Sequence, residues 1–265
     1  MPVYTSDALI LRTYKLGEAD RIVVFLTKDR GKKRGVAKGA RRPRSRFMGT
    51  LEPLTCAAVA YYERELRELV RINYVEPRQS PLSVSGRDGA DEVALGHLGY
   101  FAELIDEWAP EAHADERLFR LGASLVEALA AGSPIESLAR YFEFWLLRLQ
   151  GVYPPLTACP VCGAAFDGGA VMPPREHQFV CRRCAPDTGG TLVSIDALKF
   201  LRSAAAAAPD ALAAVPLEMG PSRELETAHR RLLNVHLEKE LKSARVLREL
   251  RHGSSGTAER PRARR

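Results

Sequence analysis

The first 80 residues carry short apolar runs separated by turn formers, and the remainder carries apolar positions at helical spacing. Residues 8–14 and 21–28 read as strands, the second rich in β-branched side chains. Asp29-Arg30-Gly31 follows as a turn signal. Residues 35–39, 54–62 and 66–75 read as a third, fourth and fifth strand, with Glu63-Arg64-Glu65 as a polar hairpin connection. In the last run Val70, Ile72 and Tyr74 alternate with Arg71 and Asn73, the period of a half-buried strand. The second run is apolar on both faces, Ile22, Val24 and Leu26 on one and Val23 and Phe25 on the other. One face fills a core; the other packs against a neighbouring domain or a partner. Five short strands predict a small β-barrel, with the oligonucleotide-binding type as the natural candidate; periodicity alone leaves an SH3-like barrel open.

Pro, Ser and Gly cluster over residues 76–90 and mark a domain boundary. Helical patterns follow over 91–108 and 115–131. Ser133-Pro134-Ile135-Glu136 reads as a capping box opening a third helix. Its apolar stripe is Ile135, Leu138, Phe142, Trp145, Leu146 and Leu149, with Arg140, Glu143 and Arg148 on other faces. Gly151 and Pro154-Pro155 end it. Ser194 caps a helix running to about residue 208, and residues 209–221 connect to a final long helical segment over 222–250. There the stripe drifts from Leu225, Ala228, Leu232 and Val235 to Leu237, Leu241, Ala244 and Leu247, which implies a bend or a change of packing partner.

The 265 residues are 46% hydrophobic, enough for one or two domains and small additions. No run of 18 apolar residues suggests a membrane span, and nothing near Met1 reads as a secretory signal, so a cytoplasmic, nucleoid-associated protein is expected. The net charge of +6 is unevenly placed. Residues 1–80 hold 17 Lys and Arg against 9 Asp and Glu, residues 81–250 hold 17 against 23, and residues 251–265 hold 5 against 1. A basic front beside an acidic middle suggests a polyanion partner for the first and a protein partner or scaffold for the second.

Cys159-Pro160-Val161-Cys162 and Cys181-Arg182-Arg183-Cys184 are two Cys-x2-Cys pairs separated by 18 residues and flanked by Gly and Pro. Each pair can reach one metal ion from a tight turn, and two pairs close a tetrahedron suited to Zn2+. Disulfides fit poorly in a reducing cytosol. His177 could replace one cysteine, but four sulfurs already suffice. Four thiolates leave no open coordination position, so one structural ion is expected on Cys159, Cys162, Cys181 and Cys184. The stretch is poor in large apolar residues, and the metal would have to supply its folding energy. The fifth cysteine, Cys56, reads as a small core residue. The fold class is then α+β and multi-domain: an N-terminal five-stranded OB-type β-barrel and a C-terminal helical domain with an inserted zinc module. The expected domains are 1–80 (barrel), 81–157 and 191–250 (helical), 158–190 (four-cysteine zinc module) and 251–265 (a disordered basic tail).

Between residues 28 and 46 stand Lys28, Arg30, Lys32, Lys33, Arg34, Lys38, Arg41, Arg42, Arg44 and Arg46, opposed only by Asp29. Ten cations in nineteen positions repel one another unless a polyanion neutralises them, and these ten are the candidate DNA contacts. Gly39, Pro43 and Ser45 rule out a continuous basic helix and suggest a flexible loop that orders on nucleic acid. Of the nearby Tyr14, Phe25, Phe47, Tyr61 and Tyr62, each reads as a core residue, except that Phe47, beside the basic run, is the best candidate for stacking bases. No phosphate-binding Gly-x4-Gly-Lys-Ser/Thr loop or His-Glu-x-x-His motif occurs, and the His-x-Glu paired with Cys-x-x-Cys that a nucleic-acid deaminase needs is absent. His229 and His236, seven apart, have no evident third ligand. The chain is not expected to be an enzyme.

The run 37–46 (Ala-Lys-Gly-Ala-Arg-Arg-Pro-Arg-Ser-Arg), followed by Gly49, Leu51, Glu52, Pro53 and Leu54, resembles the N-terminal signature of the RecO family of bacterial recombination mediators. Gly17-Glu18-Ala19-Asp20, Gly151-Val152-Tyr153-Pro154-Pro155 and the 235–243 helix fit the same pattern. The resemblance implies a non-enzymatic protein that binds single- and double-stranded DNA and anneals complementary strands. It also implies that, with RecR, the protein helps load RecA onto DNA coated by single-strand-binding protein. The alternative is a protein-interaction adaptor or RNA-associated factor in which the zinc module, with Arg175, Arg182 and Arg183, makes the main contact.

Overall fold

A computed structural model describes residues 2–63, 68–81, 92–111, 113–185 and 189–255. Three sequence expectations fall on other positions: most of the 63–65 connection, most of the boundary region and the 256–265 part of the tail lie outside the described residues.

Five strands close into a barrel in the order β1-β2-β3-β5-β4. They are β1 (Val3–Leu16), β2 (Asp20–Thr27), β3 (Gly31–Ala37), β4 (Cys56–Tyr62) and β5 (Leu69–Gln79). All pairs are antiparallel except β3 with β5, the parallel contact that closes the ring. The expected oligonucleotide-binding-type barrel is therefore present. Its interior is filled by alternating residues, among them Ala8, Ile10, Val23, Phe25, Val59, Tyr61, Val70 and Ile72. Gly35 also faces inward: a Cβ there would stand 2.7 Å from Ile72, so the strand closes only without a side chain.

The third strand differs from its expected 35–39. It starts at Gly31, whose φ of +70° completes the turn signalled by Asp29-Arg30-Gly31. Lys32, Lys33 and Arg34 are thus strand residues, paired with Leu26, Phe25 and Val24, rather than loop residues. β-Sheet hydrogen bonding needs no particular side chain, so a basic run is no obstacle to it.

The helices are α1 (Glu92–Trp108), α2 (Glu116–Ala130), α3 (Ile135–Leu149), α4 (Ile195–Ala204), α5 (Met219–Leu237) and α6 (Lys242–Ser255). Ser194 caps α4 as expected, accepting from the Ala197 N–H. Ser133 does not cap α3: the helix begins one residue later, with Pro134 at the cap position and no side-chain cap bond. The final helical segment breaks where its stripe drifts. Glu238 adopts φ +54° and ends α5, and α6 continues to Ser255, so residues 251–255 are helical rather than tail.

Packing divides the chain into two compact units, residues 1–126 with 240–265, and residues 127–239. In the first, α6 lies on α1: Glu103 accepts from the Ser243 N–H and hydroxyl, and Gly96 lets Leu247 and Leu250 approach closely. In the second, α3 packs on α5, and a three-stranded sheet, β7-β6-β8, forms around the cysteine pairs. Its strands are β6 (Ala170–Met172), β7 (Val180–Cys181) and β8 (Thr191–Val193).

Candidate nucleic-acid interface and metal centre

The ten cations fall into two groups. Those on or beside β3 are mostly held by the protein itself. Lys32 is 10% exposed; its ammonium donates to the Asp106 carbonyl at 2.7 Å and lies 3.3 Å from the Asp106 carboxylate. Lys33 pairs with Glu63 at 2.8 Å. Arg34 pairs with Glu111 at 2.8 Å, with both side chains largely exposed, so a phosphate could replace that carboxylate at little cost. Arg30 stacks on the Tyr4 ring at 3.8 Å, and Lys28 is exposed in the turn after β2.

The second group, Lys38, Arg41, Arg42, Arg44 and Arg46, is exposed on the segment between β3 and β4. Among the described residues none of the five has a carboxylate partner. This segment is a chain of tight turns rather than a flexible loop. The N–H groups of Arg42, Ser45 and Met48 bond back to the carbonyls of Gly39, Arg42 and Ser45. The Gly39 N–H donates to Asp20, and Arg41 donates to the Ala19 and Gly17 carbonyls, which ties the segment to the β1–β2 hairpin. Phe47, Leu51 and Leu54 are buried beneath it. Phe47, expected to stack bases, instead plugs the end of the barrel at 2% exposure. The arginines lie between the bonds to the β1–β2 hairpin on one side and the inward-turned Phe47 on the other, so the cations stand preorganised.

The metal centre is local. Cys159, Cys162, Cys181 and Cys184 bring their sulfurs within 4.8 Å of one another. The Cys162 and Cys181 sulfurs are 3.6 Å apart, too far for a disulfide and close to the edge, about 3.8 Å, of a tetrahedron with metal–sulfur bonds of about 2.3 Å. Each pair sits on a turn. The Gly163 N–H donates to the Cys159 carbonyl, with Gly163 at φ +72°, and the Cys184 and Ala185 N–H groups donate to the Cys181 carbonyl. Burial opposes ionisation of Cys159, but backbone N–H groups aimed at its sulfur outweigh that and lower its pKa to about 6. Hydrogen bonding to the Cys162 and Cys181 sulfurs pushes Cys184 up to about 12. Four thiolates therefore coexist only around a cation. The donor set and its spacing fit a metal ion.

The module also has a small apolar heart, Phe166, Met172, Phe179 and Val180, which its composition did not suggest. Arg231 of α5 clamps it, donating to the carbonyls of Met172, Pro173 and Glu176 and to the Thr191 hydroxyl. Beside it lies a buried network that the sequence hid. Arg140 and Glu143 pair at 3.1 Å, both almost inaccessible, rather than facing solvent on α3. Glu143 accepts from His229 Nδ1 at 2.9 Å, and Tyr153 donates to His229 Nε2 at 3.0 Å. Burial lowers the His229 pKa against the pull of Glu143, and burial with the Glu143 charge holds Tyr153 well above its usual value.

Fold and site together define a class: an oligonucleotide-binding-type barrel joined to a helical domain that carries a four-cysteine metal-binding module. Two family models match, Recombination protein O N terminal over residues 1–81 and Recombination protein O C terminal over residues 90–245. The chain is 35% identical over 250 residues to the DNA repair protein RecO of Anaeromyxobacter sp. (strain K), covering 91% of this chain and 94% of that one. It is 40% identical over 176 residues to the RecO of Koribacter versatilis (strain Ellin345), covering 66% and 70%. To the RecO of Desulforudis audaxviator (strain MP104C) it is 31% identical over 259 residues, covering 96% and 100%. The chain belongs to the RecO family. Its role lies in DNA repair and recombination. Among the described residues no helix is long and apolar enough to cross a membrane.

Proposed function

We propose that this protein is a non-enzymatic recombination mediator that holds single- and double-stranded DNA by its phosphates. The observation that carries this reading is the set Lys38, Arg41, Arg42, Arg44 and Arg46, exposed together on an anchored chain of turns. Lys28 and Arg30 extend the contact, Arg34 joins it by exchanging Glu111 for a phosphate, and Lys32 and Lys33 act mainly within the fold. Cations aimed at the backbone carry little sequence preference. By neutralising phosphate repulsion they let complementary strands approach, which is a physical route to annealing. With RecR, the protein then helps RecA onto DNA coated by single-strand-binding protein. It works in the cytoplasm, at the nucleoid. The metal is a single zinc ion on Cys159, Cys162, Cys181 and Cys184, structural because four thiolates exclude substrate.

The test is annealing. Reversing Lys38, Arg41, Arg42 and Arg44 to Glu should abolish annealing of complementary oligonucleotides while the melting temperature stays unchanged. An unaltered annealing rate refutes the assignment. The adaptor reading draws on Val161, 66% exposed between the first two cysteines, and on the exposed Arg182 and Arg183. It would gain if Val161→Asp, and not the loop reversal, abolished annealing.

A further inference from the structure

The four clustered cysteines are not equivalent. Cys159 and Cys181 are buried, at 2% and 7% exposure, and Cys184 is half-buried. Cys162 is exposed, on the turn that the Gly163 N–H closes onto the Cys159 carbonyl. Its neighbours Pro160, Val161 and Gly163 are exposed as well, so small solutes can approach it. The Cys181 sulfur stands 3.6 Å away, on the other pair. Cys181 lies on β7, paired with Ala170 of β6, and so belongs to fixed backbone. The spacing is common to any four-thiolate site; exposure is what separates a sulfur that a solute reaches from one that only responds to it. An accessible thiolate beside a second thiol is the arrangement of a cysteine that is oxidised reversibly. The module also has supports that do not pass through the sulfurs. Phe166, Met172, Phe179 and Val180 are buried within it, β6 pairs with both β7 and β8, and Arg231 of α5 holds the carbonyls of Met172, Pro173 and Glu176. These contacts keep the module on α5 when the metal leaves.

We propose that Cys162 and Cys181 are a reversible oxidation site for peroxides, which closes as a disulfide and releases the metal ion. The inference rests on the metal reading of the four cysteines and gives that site a regulatory role. The Cys162 thiolate attacks one peroxide oxygen; the O–O bond breaks and hydroxide leaves, giving a sulfenic acid. The Cys181 thiolate then attacks the Cys162 sulfur; the S–S bond forms, the S–O bond breaks and a second hydroxide leaves. The two sulfurs give up two electrons, the peroxide takes them, and two protons from solvent turn both hydroxides into water. The sulfurs close from 3.6 Å to about 2.0 Å, a movement that the exposed turn carrying Cys162 can supply. Cys159 and Cys184 remain as two ligands where the ion needs four, so the site gives up its metal. The disulfide keeps the two turns tethered, which favours return to the metal-bound state when a reductant arrives. In a reducing compartment such a bond is transient, as a sensor requires.

The test treats the full-length, zinc-loaded protein with hydrogen peroxide. It follows zinc with a chromogenic chelator, free thiols with a thiol reagent and the new bond by peptide mass mapping. One zinc ion per chain should be released as two of the five thiols disappear, with the link mapped to Cys162 and Cys181. Dithiothreitol with added zinc should restore both. Cys162→His keeps a fourth ligand but removes the reacting sulfur, so it should hold zinc against peroxide, whereas Cys56→Ser should behave as wild type. Three results overturn the oxidation site while leaving the metal reading standing: wild type that keeps its zinc and all its thiols, a disulfide mapped to another pair, or release that dithiothreitol does not reverse. The wild-type map decides this even where Cys162→His loads no zinc. A protein that holds no metal before peroxide is added overturns the metal reading itself, and the oxidation site with it.

Discussion

The division of the basic run into free and internally paired cations makes a quantitative prediction about salt. Five exposed side chains, Lys38, Arg41, Arg42, Arg44 and Arg46, each able to take one phosphate of a single strand, contribute about −3.5 to the slope of log affinity against log salt, at about 0.7 per contact. Between about 50 and 200 mM salt these five contacts should then lower the affinity about 130-fold. Replacing Arg41, Arg42, Arg44 and Arg46 with Gln leaves one of the five, and their share of the same salt change should drop to about threefold. Lys32→Gln is the contrasting case. Its partner Asp106 is 13% exposed and keeps Arg12 at 2.7 Å, so the loss should lower stability by about 1–2 kcal/mol and leave the slope unchanged. Anisotropy titrations of a labelled oligonucleotide at several salt concentrations, with thermal melting alongside, read both effects. The reasoning fails if Lys32→Gln flattens the slope as much as the four-arginine variant, or if that variant keeps the wild-type slope.

Two further outcomes concern the second compact unit. If one zinc ion per chain closes both turns, as proposed, Cys159→Ser or Cys181→Ser should remove it and cost several kcal/mol of stability; metal analysis of a wild-type sample free of zinc, with melting unmoved by a chelator, would rule the ion out. Burial lowers the His229 pKa, so below about pH 6.5 the unfolded chain takes up a proton that the folded protein excludes. Its stabilising contribution is complete above that pH and declines as pH falls, by at most about 1.4 kcal/mol per unit. His229→Gln should flatten this dependence in denaturant titrations over about pH 5 to 7, a range that brackets the free-imidazole value; the same slope in both proteins would show that His229 does not titrate on unfolding.

The parts that could be read from the chain alone are those whose cause is local. Period-two alternation at Val70 and Ile72 marked a barrel strand, though a register shift beyond Ile72 turns Tyr74 outward and puts Val75 in the core, and Cys-x2-Cys spacing marked the paired turns, because a few neighbouring residues settle each. The drifting stripe after Val235 foretold the break between α5 and α6 for the same reason. The candidate interface was legible only as a total of charge. Lys32 and Arg46 look alike in the sequence. What separates them is Asp106, 74 residues after Lys32 and brought to it by the fold. Phe47 was misjudged because its neighbours are basic, while its environment is the barrel interior. Tyr14 passed as an ordinary core aromatic because strand alternation does not tell which rows a helix will cover.

The order of amino acids was enough to specify a five-stranded barrel, a helical part and a four-thiolate knot, since alternation, helical spacing and paired cysteines act over a few residues. The folded chain was needed to establish which cations face solvent, and that Arg140, Glu143, His229 and Tyr153 form one buried network. Burial and pairing are properties of groups far apart along the chain. Their energies depend on the dielectric and the partners that folding assembles, and no local pattern of residues encodes those.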